Sequence, residues 1–197
     1  MHRIVILASG GGSNAEAIVR HFEASDVGRV VAVVSDRQAA GVHERAERLG
    51  VPSVWLPPKQ RTTAGATLAL LRELGADLVV LAGYLRLVPA DVVAGFPERV
   101  LNVHPALLPK FGGAGMYGRH VHEAVRAAGE GVSGITVHLA DEAYDRGRVL
   151  FQATTPIAPE MTPGDIAAAV LTLEHRHYPR VIEAHLGDLP LRDHPSD

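Results

Sequence analysis

The sequence predicts an α/β fold, a mostly parallel twisted sheet of about seven strands with helices on both faces. Short apolar runs, each about one strand long, alternate with amphipathic segments of helical period along the chain, which is the pattern of successive βα units. Short Gly- or Pro-bearing loops separate these segments, with no long linker, low-complexity stretch or internal repeat. Hydrophobic residues make up 47% and charged residues 21% of the 197 residues, an ordinary globular balance with enough apolar surface for a large core.

The first strand is read at about Arg3–Ala8, from the apolar run Ile4 to Ala8, and the amphipathic stretch Asn14–Glu23 follows as a helix. Apolar runs give strands at Val30–Ser35 and Ser53–Leu56, with a helix at Ala40–Leu49 between them. A helix at Thr63–Leu74 precedes the strand Asp77–Ala82, and a short helix at Pro89–Gly95 precedes the strand Val100–Val103. Beyond a helix at Gly118–Ala128 come strands at Gly134–Leu139 and Val149–Thr155. The last helix, Pro163–His185, is the longest, and an interruption is expected at Tyr178-Pro179 because proline lacks the helical N–H and crowds the preceding turn. One domain over residues 1–187 and a loose tail over 188–197 complete the expected organisation.

Composition excludes several classes of function. No apolar run approaches the ~20 residues of a membrane span, and Ile4 to Ala8 is too short for a signal-peptide core. Without cysteine there is no disulfide and no thiolate chemistry, which fits a reducing cytoplasm. A net charge of −3 with no basic face argues against nucleic acid as a partner. Lys59 and Lys110 are the only lysines, so an anionic ligand has to be held by arginines and backbone N–H groups.

Two stretches carry chemistry. In "ASGGGSNAEAI", Gly10, Gly11 and Gly12 let the backbone bring N–H groups close to an anion at a helix start, and Ser13 and Asn14 cap that helix or reach the same anion. A phosphate site is the natural reading. A dinucleotide reading competes with it, since Gly10-x-Gly12-x-x-Ala15 with Asp36 at the end of the second strand fits the loose ribose-binding pattern. In "LNVHPALLP", strand alternation puts Asn102 and His104 on one face at a strand end, with Pro105 and Pro109 fixing the loop that leaves it. An amide and an imidazolium aimed at one atom form an oxyanion hole, and the imidazole can also pass a proton. A carboxylate is the usual means of tuning such a histidine, and "VHLADEAYDRGRVL" offers Asp141, Glu142 and Asp145. His138 reads as a core or rim residue. His120-x-His122 and His175-x-His177 diverge on a helix, so no metal site is expected.

Taken in order, "SGGGSN", "LAGYLRLV", "LNVHPALLP", "DEAYDRG" and "LEHRHYP" make the chain, from Met1 to about His185, resemble the phosphoribosylglycinamide formyltransferases, a folate-dependent family of purine synthesis. The resemblance implies a Rossmann-like sheet and transfer of a formyl group from 10-formyltetrahydrofolate to the amine of glycinamide ribonucleotide, with no metal and no covalent enzyme intermediate. It implies a catalytic trio of Asn102, His104 and Asp145. Gly11, Gly12, Ser13 and Asn14 would hold the phosphate and ribose side, and Glu174 the ribose hydroxyls. Folate would lie along Leu85, Arg86, Leu87 and Val88, meet Asn102, and be covered by Ala140, Asp141, Glu142 and Asp145, with Arg61 toward its tail. The expected partners are these small molecules alone, met by a cytoplasmic monomer or homodimer. Where the family often has Asn and Ser this chain has Gly11 and Ala106, and Arg146 and Arg148 replace small residues or proline. The stretch "GGAGMYGRHVHEAV" is longer than its family counterpart.

Other readings have to meet the same residues. A methionyl-tRNA formyltransferase would need a further tRNA-binding domain, and a formyltetrahydrofolate deformylase an N-terminal regulatory domain. An oxidoreductase would use the glycine loop and Asp36 but leave Asn102, His104 and Asp145 without a role.

Overall fold

The computed structural model describes residues 1–192. Its strands are β1 (His2–Ala8), β2 (Gly28–Ser35), β3 (Ser53–Trp55), β4 (Leu78–Leu81), β5 (Val100–His104), β6 (Val132–Leu139) and β7 (Val149–Pro156). The helices are α1 (Ser13–Phe22), α2 (Val42–Arg48), α3 (Pro58–Thr62), α4 (Ala66–Glu73), α5 (Ala90–Gly95), α6 (Arg119–Ala127) and α7 (Pro163–Gly187). All seven strands form one sheet in the order β3-β2-β1-β4-β5-β6-β7. The pairs from β3 to β5 are parallel, whereas β6 runs antiparallel to both β5 and β7.

Strand alternation explains why both faces are covered. In β1, Ile4, Ile6 and Ala8 join one buried cluster with Ile18 and Phe22 of α1 and Tyr178 and Ile182 of α7. Val5 and Leu7 join a second cluster, with Leu71 of α4 and Val92 of α5. A strand buried on both sides has no polar face to show, and β1 and β4 therefore read as continuous apolar runs.

β1 lies between β2 and β4, so the chain leaves it toward one edge and later returns on the other side. That reversal opens a crevice at the carboxyl ends of β1 and β4, where ligands of open α/β sheets bind.

Three expectations are corrected. Pro58–Thr62 forms a short separate helix with proline in its first turn, a position that needs no N–H. α7 runs unbroken through Pro179: Val170, Glu174 and Tyr178 before it and Ile182 and Leu186 after it are all buried, and this packing outweighs the lost helical bond. The Tyr178 hydroxyl also lies 3.1 Å from the Leu81 carbonyl and 3.0 Å from that of Leu101, which ties the helix to β4 and β5. The segment after α7, expected to be loose, is held as far as Arg192. Arg99 Nη2 donates to the Pro190 carbonyl at 2.6 Å, and the Arg192 guanidinium lies over the Phe96 ring. The rest of that tail lies outside the described residues.

Candidate active site

A cavity of about 830 Å³ opens along the crevice. Asn102 and His104 of β5 line it, as strand alternation predicts, and Val103 reaches it too because the strand ends there. The carboxylate arrives by a longer route. Register pairs His104 with Thr136 and Leu101 with Leu139, so the antiparallel β6 ends three residues short of His104, a gap of about 10 Å at ~3.3 Å per residue. The loop after β6 has to double back to close it. Gly147 allows the return, because a Cβ there would overlap the Leu139 carbonyl. Asp145 makes its turn with φ +57°, a left-handed conformation that Asp tolerates better than most residues.

The buried cluster that results has four members. His104 Nδ1 lies 3.4 Å from Asp145 Oδ2, and His138 Nε2 lies 3.5 Å from Asp145 Oδ1. The Gly113 N–H donates to Asp145 Oδ2 at 2.9 Å. His104 Nε2–H donates to the Phe111 carbonyl at 2.7 Å, which assigns a proton to Nε2 and leaves Nδ1 facing the carboxylate. His138 Nδ1–H donates to the Leu139 carbonyl at 2.9 Å, so its Nε2 accepts from Asn102 Nδ2 at 3.0 Å. One amide hydrogen of Asn102 is thereby fixed and the other remains for a ligand. Distances of 3.4–3.5 Å are long for hydrogen bonds. Such contacts commonly tighten once substrate is bound.

Burial dominates the protonation of His104 and lowers its pKa, against the opposing pull of Asp145 and the Phe111 carbonyl. Burial alone would raise the pKa of Asp145, but His138, His104 and the Gly113 N–H outweigh it and hold the group below the ordinary carboxylate range. The pair is thus a carboxylate beside an imidazole held neutral, which can accept a proton and be compensated for the charge it gains.

At the glycine loop, Gly12 caps α1 with φ +77°, and a Cβ there would collide with Val42. Val42 N–H donates to the Gly10 carbonyl at 3.1 Å and Arg45 Nε to the Gly11 carbonyl at 2.8 Å. With those carbonyls turned to α2, trans peptide geometry points the N–H groups of Gly11 and Gly12 the opposite way. Asn14 lines the cavity and donates from Nδ2 to Glu174 Oε2 at 2.6 Å, while its own Oδ1 is buried without a partner. Burial raises the pKa of Glu174, opposed by that hydrogen bond.

Most residues named from the sequence meet here. Asn14, Leu85, Arg86, Leu87, Val88, Asn102, His104, Ala140, Asp141, Asp145 and Glu174 all line the cavity. Gly11, Gly12 and Ser13 lie outside the lining, and so does Glu142 on its exposed loop. Arg61 sits elsewhere. Its Nη1 lies 3.3 Å from Asp36 Oδ2, which Arg86 Nε also reaches at 3.1 Å, and it lines a separate cavity of about 320 Å³. Asp36, the acid of the dinucleotide reading, is thus committed to two arginines.

The sequence reading missed four groups at the site. His138 meets Asn102 and Asp145, and pairing of Asn102 with His138 across β5 and β6 was the one signal that could have found it. The Phe111 carbonyl and the Gly113 N–H are backbone groups and leave no trace in residue identity. His122, set aside together with His120, turns into the cavity with Nδ1 buried and unpartnered, while His120 stays outside near Glu123.

Comparison with known proteins places the chain in a family. Residues 2–182 match the formyl transferase family model. The chain belongs to the formyl transferase family. This formyl transferase is 40% identical to the chloroplastic phosphoribosylglycinamide formyltransferase of Arabidopsis thaliana over 92% of its own length and 64% of that protein. It is 37% identical to the chloroplastic enzyme of Vigna unguiculata, of which it spans 60%. With the phosphoribosylglycinamide formyltransferase of Bacillus subtilis it shares 36% identity over 95% of its length and 96% of that protein. Among solved structures, glycinamide ribonucleotide transformylase 1 from Symbiobacterium toebii superposes with a TM-score of 0.87 at 37% identity, covering 98% of this chain and 91% of that one. The phosphoribosylglycinamide formyltransferase of Brucella melitensis gives 0.85 at 38% identity, covering 98% and 99%.

Proposed function

We propose that this formyl transferase moves the formyl group of 10-formyltetrahydrofolate to the amine of 5'-phosphoribosylglycinamide, giving formylglycinamide ribonucleotide and tetrahydrofolate in purine synthesis. The observation that carries this reading is the convergence of Asn102, His104 and Asp145 on one cavity that the glycine-loop side and the Leu85–Val88 loop both border. About 830 Å³ lies within the usual range of ligand pockets, ~300–1,000 Å³.

In this reaction the amine nitrogen attacks the formyl carbon and negative charge develops on the formyl oxygen. The bond from that carbon to folate N10 then breaks, and the proton lost by the amine ends on N10. The free amide hydrogen of Asn102 and a protonated His104 stabilise the oxyanion. Since His104 Nε2 is committed to the Phe111 carbonyl, Nδ1 exchanges the proton, and Asp145 compensates the imidazolium. His138 keeps the Asn102 amide from flipping.

The Gly11 and Gly12 amides, with Ser13 at the helix start, take the phosphate, while Asn14 and Glu174 take the ribose. The backbone of Leu85–Val88 pairs with the pterin, and the loop from Ala140 to Asp145, with Glu142, covers it. Arg86, one of two arginines lining the cavity together with Arg119, takes the acidic tail, whereas Arg61 serves by holding Asp36. No helix among the described residues is long and apolar enough to cross a membrane. The absence of cysteine supports a reducing cytoplasm as the place of action.

The test is an assay of the purified protein with glycinamide ribonucleotide and a 10-formyl folate, following release of the reduced folate. Formyl transfer is expected. Transfer only to another amine would change the substrate, and no transfer to any amine would overturn the reading.

A further inference from the structure

Thr136 is fully buried in the sheet, yet its hydroxyl makes three hydrogen bonds, two of them to the loop that leaves His104. It donates to the Ala106 carbonyl at 2.7 Å and accepts from the Leu108 N–H at 3.0 Å and from Gln152 Nε2 at 2.9 Å. Gln152 reaches across from β7, and its Nε2 also approaches the Leu108 carbonyl at 3.1 Å. Thr136 is the direct cross-strand neighbour of His104, so this staple grips the chain just past the histidine.

Further along, the same loop acts on the acid–base pair. The Phe111 carbonyl takes the His104 Nε2 proton, and the Gly113 N–H holds Asp145 Oδ2. Phe111 has φ +55°, a conformation unfavourable for an aromatic residue that persists only where its surroundings enforce it. One end of the loop is therefore pinned by two side chains, while its other end sets the orientation of both reacting groups.

We propose that Thr136 and Gln152 are positioning residues for the transfer reaction. Acting through the loop from Pro105 to Gly113, they hold the Phe111 carbonyl and the Gly113 N–H where these fix the His104 tautomer and the His104–Asp145 distance. The proposal rests on the reading that this pair exchanges the proton. A merely structural Thr136 would satisfy the buried loop carbonyl and N–H without influencing His104.

The test compares Thr136→Val, Thr136→Ser and Gln152→Ala by turnover, by KM for both substrates, and by the imidazole ¹⁵N resonances of His104 in the full-length protein. Thr136→Val is expected to lower turnover by about 10- to 100-fold with both KM values nearly unchanged, as a small misplacement of reacting groups does. Its His104 resonances should shift from the Nε2–H tautomer to a mixture, Thr136→Ser should restore both readouts, and Gln152→Ala should change them in the same direction by less. The proposal is overturned if Thr136→Val and Gln152→Ala keep turnover within about twofold of the parent. It is equally overturned if the His104 tautomer is unaltered in both. Should Thr136→Val fail to fold, Gln152→Ala, whose side chain enters from the edge strand, decides by the same criteria. A parent protein that transfers no formyl group would sink the reaction assignment, and the ¹⁵N spectra would still decide the positioning claim.

Discussion

Asp36, just past the end of β2, and Asp145, on the loop after β6, are two carboxylates with buried side chains, and both are held below the ordinary carboxylate range. Their neighbours differ. Burial of Asp36 is outweighed by the Ser9 hydroxyl and by the guanidiniums of Arg86 and Arg61, which stay charged at any physiological pH. Burial of Asp145 is outweighed by two histidines and a backbone N–H. An acid between arginines is a fixed anchor, whereas an acid between imidazoles faces groups that can gain or lose a proton. The same residue type thus braces the Leu85–Val88 loop through Arg86 at one place and belongs to the proposed acid–base pair at the other.

The largest expected effect separates the two sites. Asp145→Asn and His104→Ala should each reduce turnover by roughly 10²–10³, about 3–4 kcal/mol of transition-state stabilisation, with the fold intact by circular dichroism. The double variant should lose far less than the product of the single losses, because the groups act as a unit. Near-normal turnover in either single variant would erase the distinction.

Asp36→Asn should do the reverse. It leaves two guanidiniums with a weaker acceptor and should cost about 1–3 kcal/mol in urea unfolding, with turnover close to the parent and any kinetic change in the folate KM. A loss of turnover as large as that of Asp145→Asn would show that both acids are catalytic.

Glu174 sharpens the contrast from another side, since its raised pKa reflects a carboxylate buried with no cation. Its ionised form is penalised in the folded state, so the penalty grows as pH rises through the folded pKa and is absent below the unfolded value. Glu174→Gln should raise stability by about 0.5–2 kcal/mol at pH 7 while raising the ribonucleotide KM. The gain should vanish below the ordinary glutamate value of 4.5.

The smallest effect is the pH dependence of the parent protein. His104 and His122 have folded pKa values below 6.5, so the unfolded chain binds protons first as pH falls through that value. Their contribution to stability is complete above 6.5 and is lost as pH falls toward the folded values, whereas that of Asp36 and Asp145 persists until pH falls below 3.8. Urea midpoints should therefore drop between pH 7.5 and 5.5, a drop that Asp36→Asn preserves and His104→Gln reduces. An unchanged midpoint over that range would contradict the burial of these histidines.

Much of this was legible in the residues. Alternating apolar and amphipathic runs announced the strands and helices, and continuous apolar strands announced a sheet covered on both faces. Strand alternation made Asn102 and His104 co-facial before any fold was known, and three glycines at a helix start marked the end of the crevice proposed to take the phosphate. These are local properties, set by side-chain period and backbone freedom, and such properties survive in a one-dimensional reading.

Contacts between distant segments had to wait for the fold. Asp141, Glu142 and Asp145 were all candidates for the carboxylate, and only packing brought Asp145 to His104 and sent Arg61 to Asp36. The antiparallel direction of β6 depends on pairing with β5, and it forced the loop carrying Asp145 to turn back with a left-handed residue. α7 passes through Pro179 because burial on either side outweighs the missing bond. The Phe111 carbonyl and Gly113 N–H belong to every peptide alike, so no sequence pattern could assign them to His104 and Asp145. The sequence by itself determined which groups were available for chemistry, while tertiary structure decided which of them face one another, because that requires distances of a few ångströms between residues far apart in the chain.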